Sequence, residues 1–370
     1  MKDIIIIGGG LAGLSAAIHL SRAGKQVGLL EKKGYPRHKV CGEYVSNEVL
    51  PYFEKLGVDI ESVGPNHVQR FRLCAPSGKF AEARLPLGGF GLSRYRFDEF
   101  LYQNALAAGV DVRTQTTVTE VHFQGDHFQL RALGGLELEA KVVLGSFGKR
   151  SVVDKNLSRP FFSQPSRWMG VKHMLDYDYP ADLVALYNFD GGYCGAVRIE
   201  DGSLSMAYLT THDAIKPYGS LAAFEANVLH ANPRLKTLLS APSKLARPQT
   251  ISNVSFRPKR QVVDHILMLG DAAGMIAPVC GNGMAMGIHA AKIASDLVLE
   301  FLNGNIDRSN MEQTYQKQWR HLFGQRLFWG RQIQQVMGRP AVSTLAVGAL
   351  RGLPGILPGI IRQTHGKAFA

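Results

Sequence analysis

Four consecutive isoleucines, Ile4 to Ile7, run directly into Gly8-Gly9-Gly10-Leu11-Ala12-Gly13, and no other feature constrains the fold as strongly. A β-branched run closed by glycines reads as a buried strand. Leu11, Leu14, Ala17 and Ile18 then recur on one helical face before Gly24, and Val27 to Glu31 reads as a second strand. The result is a β-α-β unit with GxGxxG at its first turn. Gly8 makes the tight turn, Gly10 lets the backbone approach a pyrophosphate, and Gly13 lets helix and strand pack closely. The helix N-terminus, at Leu11 and Ala12, then faces the phosphates. Glu31 ends the second strand, where its carboxylate can accept both ribose hydroxyls and would repel a 2′-phosphate. Strand, helix and acid together indicate dinucleotide binding, against the weaker alternative of a glycine turn without a ligand.

A second motif decides which dinucleotide. Ile266-Leu267-Met268-Leu269 ends in Gly270-Asp271, and Pro278-Val279-Cys280-Gly281-Asn282-Gly283-Met284 opens a helix kept thin by Ala285, Gly287, Ala290 and Ala291. An aspartate at such a strand end can hold a ribityl hydroxyl. The helix N-terminus would meet the N1/C2=O edge of a flavin, where the reduced ring carries its negative charge. This pair of features favours FAD over NAD.

The other segments frame these motifs. Residues 45–57 (Val45, Val49, Leu50, Phe53, Leu56) and 97–108 are expected to be helical. Residues 68–92, 117–145 and 167–210 alternate as strands do, with turns at Gly125-Asp126, Gly134-Gly135, Asp190-Gly191 and Asp201-Gly202. Helices are expected over about 219–240, 282–302 and 309–337, and Ala341 to Ile361 is apolar but interrupted by prolines, glycines and Arg351.

Hydrophobic residues make up 45% of the 370 and charged residues 19%, which excludes a disordered chain. The four cysteines (41, 74, 194, 280) are too scattered for a disulfide framework and fit a reducing interior. With no HxxxH or CxxC spacing, no metal site is expected. Of the formal charge of +12, eight Lys or Arg fall between Gln313 and Ala370, which contain no acid, leaving +4 for the first 312 residues. No base-reading or stacking motif accompanies this charge, so no nucleic-acid partner is expected. A basic, apolar terminus instead suits a membrane surface or anionic partner, or else a cap over the fold. The apolar start is too short for a signal peptide, so the expectation is a cytoplasmic protein, with peripheral contact to the inner membrane surface through 313–370.

Four segments occurring in order carry a resemblance. They are the GxGxxG with Glu31, Pro36-Arg37-x-x-x-Cys41-Gly42-Glu43, Leu92-Ser93-Arg94-x-x-Phe97-Asp98-x-x-Leu101, and Gly270-Asp271. Over roughly residues 1–300 the chain resembles the geranylgeranyl reductase-like flavoproteins, within the p-hydroxybenzoate hydroxylase-type superfamily. The resemblance implies an α/β protein with an α+β insert. A Rossmann-like FAD-binding domain of the glutathione reductase type would comprise 1–67, 93–160 and 256–302. An antiparallel-sheet substrate domain would comprise 68–92 and 161–255, and 303–370 would form a helical C-terminal segment. In that family the acid at Glu31, followed here by Lys32, holds the adenosine ribose, Arg94 lies against the cofactor, and Val118 meets adenine through its backbone. Asp271 would hold the ribityl chain, and Gly281, Asn282, Gly283 and Met284 would face the flavin. The loop carrying Arg37, Cys41 and Gly42 would pass over the isoalloxazine. Cys41 is the candidate catalytic residue, either donating a proton opposite hydride delivery or shaping the pocket.

The chain also departs from family patterns. Ser146-Phe147-Gly148-Lys149-Arg150-Ser151 stands where hydroxylases typically show Ala-Asp-Gly, which bears on any NAD(P)H route. Neither the Tyr-x-Trp-x-Phe-Pro signature of prenyl reductases nor the Trp-x-Trp-x-Ile-Pro motif of halogenases is present. Phe90, Phe189, Tyr193 and Tyr208 are candidate substrate-lining residues, with core packing as their alternative role. The leading expectation is an FAD-dependent oxidoreductase acting on a prenyl, alkyl or alkyl-aromatic substrate, with NAD(P)H as a transient electron donor. The alternatives are an aromatic monooxygenase using NAD(P)H and oxygen, and a flavin-binding electron-transfer protein.

Overall fold

The structure, a computed structural model, describes residues 1–353 and 355–370. Strand β1 (Lys2–Ile7) passes through the glycine turn into helix α1 (Leu11–Arg22) and returns as β2 (Val27–Leu30), parallel to β1 with Ile4 opposite Val27. β3 (Tyr44–Ser46), α2 (Leu50–Lys55), the long pair β4 (Asn66–Cys74) and β5 (Phe80–Gly91), and α3 (Arg94–Ala107) follow. Next come β6 (Asp111–Arg113), an antiparallel meander of β7 (Val118–Gln124), β8 (His127–Ala132) and β9 (Glu137–Gly145), and the short α4 (Val152–Asn156).

Four antiparallel strands then succeed one another: β10 (Trp168–Leu175), β11 (Leu183–Phe189), β12 (Gly192–Arg198) and β13 (Leu204–Thr211). Short helices α5 (His212–Ile215), α6 (Leu221–Asn227) and α7 (Pro233–Leu239) lead to β14 (Gln249–Val254), β15 (Val262–Val263) and β16 (Ile266–Met268). The chain ends in α8 (Gly283–Leu302), α9 (Arg308–Val336), α10 (Pro340–Gly352) and α11 (Ile356–Thr364).

Two sheets result. The first runs β15-β16-β9-β1-β2-β6, with β8 pairing β9 and β7 pairing β8; β16, β9, β1, β2 and β6 are mutually parallel. Its central strands read as unbroken apolar runs because both faces are covered: Ile4 to Ile7, Val142 to Leu144 and Ile266 to Leu269 are all buried. The second runs β14-β10-β13-β12-β11-β4-β5-β3.

Side chains alternate across the second sheet and divide it into two faces. Cys194, Tyr208, Phe189 and Met206 point to the face covered by Phe224, Leu235 and Leu238 of α6 and α7. Leu186, Tyr193 and Leu209 join the core of the first sheet, while Val184 and Val197 share a separate cluster with Leu350, Leu357 and Ile361 of α10 and α11.

Two expected helices are corrected. Residues 45–57 begin as β3, paired antiparallel with β5 (Val45 opposite Phe90), before a 3-10 turn at Asn47–Val49 leads into α2; the apolar spacing fits both periods, and sheet pairing wins at Val45. Thus Tyr44–Ser46 belongs to the second sheet, although it lies in the expected cofactor range. The stretch 219–240 is broken at Asn232, whose side chain bonds the carbonyls of Ala75 and Asn188 (3.2 and 3.0 Å) and caps α7 before Pro233.

Candidate cofactor and active site

The glycines have distinct duties. Gly8 has φ +105°, and a Cβ there would lie 2.3 Å from the Ser146 carbonyl oxygen; a Cβ on Gly13 would lie 2.1 Å from the Gly8 carbonyl oxygen. These two close the turn and seat α1 on β1. Gly10 is different, because a Cβ there would meet only Lys39 Nζ at 3.8 Å and Arg94 Nη2 at 3.9 Å. α1 starts here without a side-chain cap or a first-turn acid. Uncapped N–H groups facing two cations suit the pyrophosphate of a dinucleotide.

Those cations share one carboxylate. Arg94 Nε and Nη2 donate to Asp98 at 2.6 and 2.9 Å, and Lys39 Nζ donates to Asp98 Oδ2 at 2.5 Å, with Asp98 fully buried. Burial would raise the Asp98 pKa, but the charges of Arg94 and Lys39 more than offset it, so the group is lowered and stays ionised. Burial, reinforced by Arg94, pushes Lys39 down to about 8. Two cations against one anion leave a net positive charge that a phosphate would neutralise. Sequence reasoning missed Lys39, which sits in a loop with no periodic signal, and it also missed the Arg94–Asp98 pair, because the helix expected from 97 in fact starts at Arg94 and so sets the two residues one turn apart.

At the next strand end, Glu31 is held from three directions. Its carboxylate accepts from the N–H groups of Gly9 (2.8 Å) and Lys33 (2.9 Å) and pairs with Arg37 Nη2 at 3.0 Å. The Thr116 N–H donates to the Glu31 carbonyl at 2.9 Å, which brings the start of β7 at Val118 alongside. Lys32 is exposed. Tyr35 stacks on Tyr102 with centroids 4.5 Å apart and donates to the Gly9 carbonyl, filling the space a Cβ on Gly9 would need.

The third strand end carries Asp271. The residue is half-buried, and burial raises its carboxyl against the opposing charges of Lys259, Arg94 and Lys149. Lys259 Nζ bridges the carbonyls of Lys149 (2.9 Å) and Asp271 (2.8 Å), tying this turn to the segment after β9. α8 also begins without a side-chain cap or first-turn acid, and Cys41 Sγ lies 3.7 Å from Met284 Sδ in its first turn. The Arg37–Glu43 loop therefore crosses the start of α8. Gly281 (φ +62°) sits beneath Tyr44, and the Val279 N–H donates to Tyr193 Oη at 3.0 Å. Cys280 is a separate buried thiol, pushed up to about 12 by burial.

Three of the four substrate-lining candidates are corrected. Phe189 and Tyr208 lie on the far face of the second sheet, where Phe189 packs edge-on against Tyr208 and Phe224, and Tyr208 Oη donates to Glu225 at 2.7 Å. Period-2 alternation puts Tyr208 opposite Cys194 and away from Tyr193. Phe90 is fully buried against Phe97, with centroids 6.2 Å apart, and serves the core. Only Tyr193 reaches the start of α8.

The glycine turn, Glu31, Asp271 and the uncapped helix starts thus converge at the carboxyl ends of β1, β2 and β16, the arrangement expected of a dinucleotide-binding flavoprotein. Over residues 1–328 the chain matches the FAD binding domain family, and it belongs to that family: it is an FAD-dependent oxidoreductase. It is 26% identical over 357 residues to digeranylgeranylglycerophospholipid reductase of Methanosarcina acetivorans, covering 87% of this chain and 81% of that protein. Violacein synthase of Chromobacterium violaceum is 27% identical over 360 residues, covering 85% and 81%. The solved flavin-dependent brominase Bmp2 shares the fold, with a TM-score of 0.79 at 19% identity, covering 100% of this chain and 94% of that one. The geranylgeranyl reductase-like resemblance and the Rossmann-like fold are both upheld.

Proposed function

We propose that this oxidoreductase reduces carbon–carbon double bonds in an apolar prenyl or alkyl chain. The observation that carries the reading is the placement of Cys41, a partly exposed thiol on the loop crossing the start of α8. Once reduced by an external two-electron donor such as NAD(P)H, bound FAD would supply the hydride. The uncapped start of α1, with Arg94 and Lys39, holds the pyrophosphate; Glu31 holds the ribose and Asp271 the ribityl chain. Cys41 delivers to the second carbon of the double bond the proton that balances the hydride. Leu186, Leu209 and Tyr193 give the facing sheet an apolar wall. The name of the Methanosarcina relative, a reductase of a prenylated phospholipid, supports the substrate class.

The test is anaerobic reduction of the holoenzyme followed by addition of a geranylgeranylated lipid and mass analysis. Each reduced double bond adds two hydrogens, and Cys41→Ala lowers turnover about 100-fold or more with FAD content unchanged. A product heavier by one oxygen, formed only in air with NAD(P)H, would replace this reading with hydroxylation. Flavin reoxidised by a protein acceptor, with no product from any lipid, would leave an electron carrier.

A further inference from the structure

α10 and α11 are apolar on two sides. On the inner side, Leu350, Leu357 and Ile361 are buried in one cluster with Ala81 and Leu85 of β5 and Val184 of β11, the strands the two helices pack on. On the outer side Val342, Leu345, Leu353, Ile356 and Ile360 face solvent, with Leu345 76% exposed and Leu353 57%. Spacings of three (342, 345) and four (356, 360) put Val342 with Leu345 and Ile356 with Ile360 on one stripe of each helix, and Leu353 caps the first helix. Single exposed leucines are ordinary, but five large aliphatic residues within nineteen positions are not.

Charge decides what covers them. Arg339, Arg351, Arg362 and Lys367 are exposed around the same two helices, and the chain holds no acid from Gln313 onward. Aliphatic side chains flanked by arginines, on two helices that carry no carboxylate of their own, complement an anionic lipid surface. Neither helix alone is long enough to span, and the pair is bent by 117° at the break between them. The helices have 13 and 9 residues, or about 20 and 14 Å at about 1.5 Å per residue, against a hydrocarbon core of about 30 Å. No single helix among the described residues is long and apolar enough to cross a membrane, and the inner sides of this pair are already used against protein.

We propose that α10 and α11 form a docking face for an anionic phospholipid bilayer. They lie in the plane of its headgroups, with Leu345, Leu353 and Ile356 entering the acyl boundary and Arg339, Arg351 and Arg362 meeting lipid phosphates. The inner side of the same helices packs on the sheet that walls the flavin site, so docking sets that sheet beside the bilayer. The inference stands on the surface alone and does not depend on which substrate is reduced.

The test is co-sedimentation of full-length holoenzyme with vesicles of phosphatidylcholine alone and of a three-to-one mixture with phosphatidylglycerol. The protein is expected to pellet with the mixture and to stay mainly in solution with the neutral vesicles. Leu345→Glu/Ile356→Glu lowers partitioning at least about tenfold with FAD content unchanged, and Arg351→Glu/Arg362→Glu or high salt does the same. Wild-type protein left in the supernatant, or a Leu345→Glu/Ile356→Glu variant that pellets equally, would overturn the proposal. A dimer that this double variant splits, with no vesicle binding by either form, would also overturn it and make the face a contact between two copies.

Discussion

Lys172 Nζ lies 2.5 Å from Glu43 Oε1, and solvent reaches neither side chain. Lys172 comes from β10 of the second sheet, while Glu43 ends the loop that carries Cys41. The same carboxylate oxygen accepts the Arg94 N–H at 2.8 Å. One atom therefore joins sheet, loop and the start of α3. Glu43 also holds φ +55°, a left-handed conformation uncommon for a residue with a side chain, and these bonds keep it there.

Lys172→Met should strand a buried carboxylate and cost about 3–5 kcal/mol, whereas Lys172→Met/Glu43→Gln removes the charge with its partner and should cost clearly less. Urea unfolding of both holo variants measures the difference. Equal losses would show that the two charges are not coupled.

Gly10 and Gly13 separate cofactor fit from fold. The Gly10 backbone, at φ −87°, accepts any residue, and a Cβ there would make only ordinary contacts with Lys39 and Arg94. Gly10→Ala should leave apo stability within about 1 kcal/mol of wild type while lowering FAD affinity. Gly13→Ala drives a methyl into the Gly8 carbonyl and should lose stability and FAD together, by about 1–3 kcal/mol in folding. Thermal melts of apo protein and flavin titration resolve the two; a Gly10→Ala variant with full FAD affinity would remove that glycine from the cradle.

The local motifs were legible because their chemistry is written in adjacent residues. Gly8 to Gly13, Glu31 and Gly270-Asp271 each sit at the end of an apolar strand run, whereas Arg94 lay ahead of the expected helix and its pairing with Asp98 was not legible. Lys39, Glu43 and Lys172 gain their meaning only from tertiary contacts: Glu43 and Lys172 are 129 positions apart, and no periodicity links a loop to a strand of another sheet. Tyr193 and Tyr208 failed as a pair for a related reason. Strand alternation tells that they face opposite ways once Tyr193 is set opposite Leu209, but that register is a property of the β12–β13 pairing.

The two tyrosines predict opposite phenotypes. Tyr193→Phe deprives the buried Val279 N–H of its acceptor next to the start of α8, and should weaken FAD binding measurably while costing about 1–3 kcal/mol. Tyr208→Phe breaks a bond to Glu225 on the far face and should lower stability by about 1 kcal/mol with FAD affinity unchanged. Flavin fluorescence titration distinguishes them, and a Tyr208→Phe defect in FAD binding would contradict the assignment of faces.

The chain terminus carries a pH dependence of its own. His289 of α8 stacks on Phe369 with centroids 3.8 Å apart and meets Phe323 edge-on, while the Phe369 N–H donates to the Glu48 carbonyl at 3.2 Å. Burial, aided by the positive charges of Arg326 and Lys292, pushes His289 down to about 4. The unfolded chain binds this proton near pH 6.5, the native fold only near 4, so between those values the unfolded state holds more protons and stability falls as pH falls. The loss from this group should be about 2 kcal/mol at pH 5 and about 3 at pH 4. Glu48, raised by its own burial, takes up a proton in the native state first and works in the opposite direction. The histidine is therefore isolated by comparison: His289→Phe keeps the aromatic stack without the titration. Its melting temperature should fall between pH 7 and pH 5 by about 2–3 °C less than that of wild type, and identical pH profiles would show that His289 does not anchor the terminus in its neutral form.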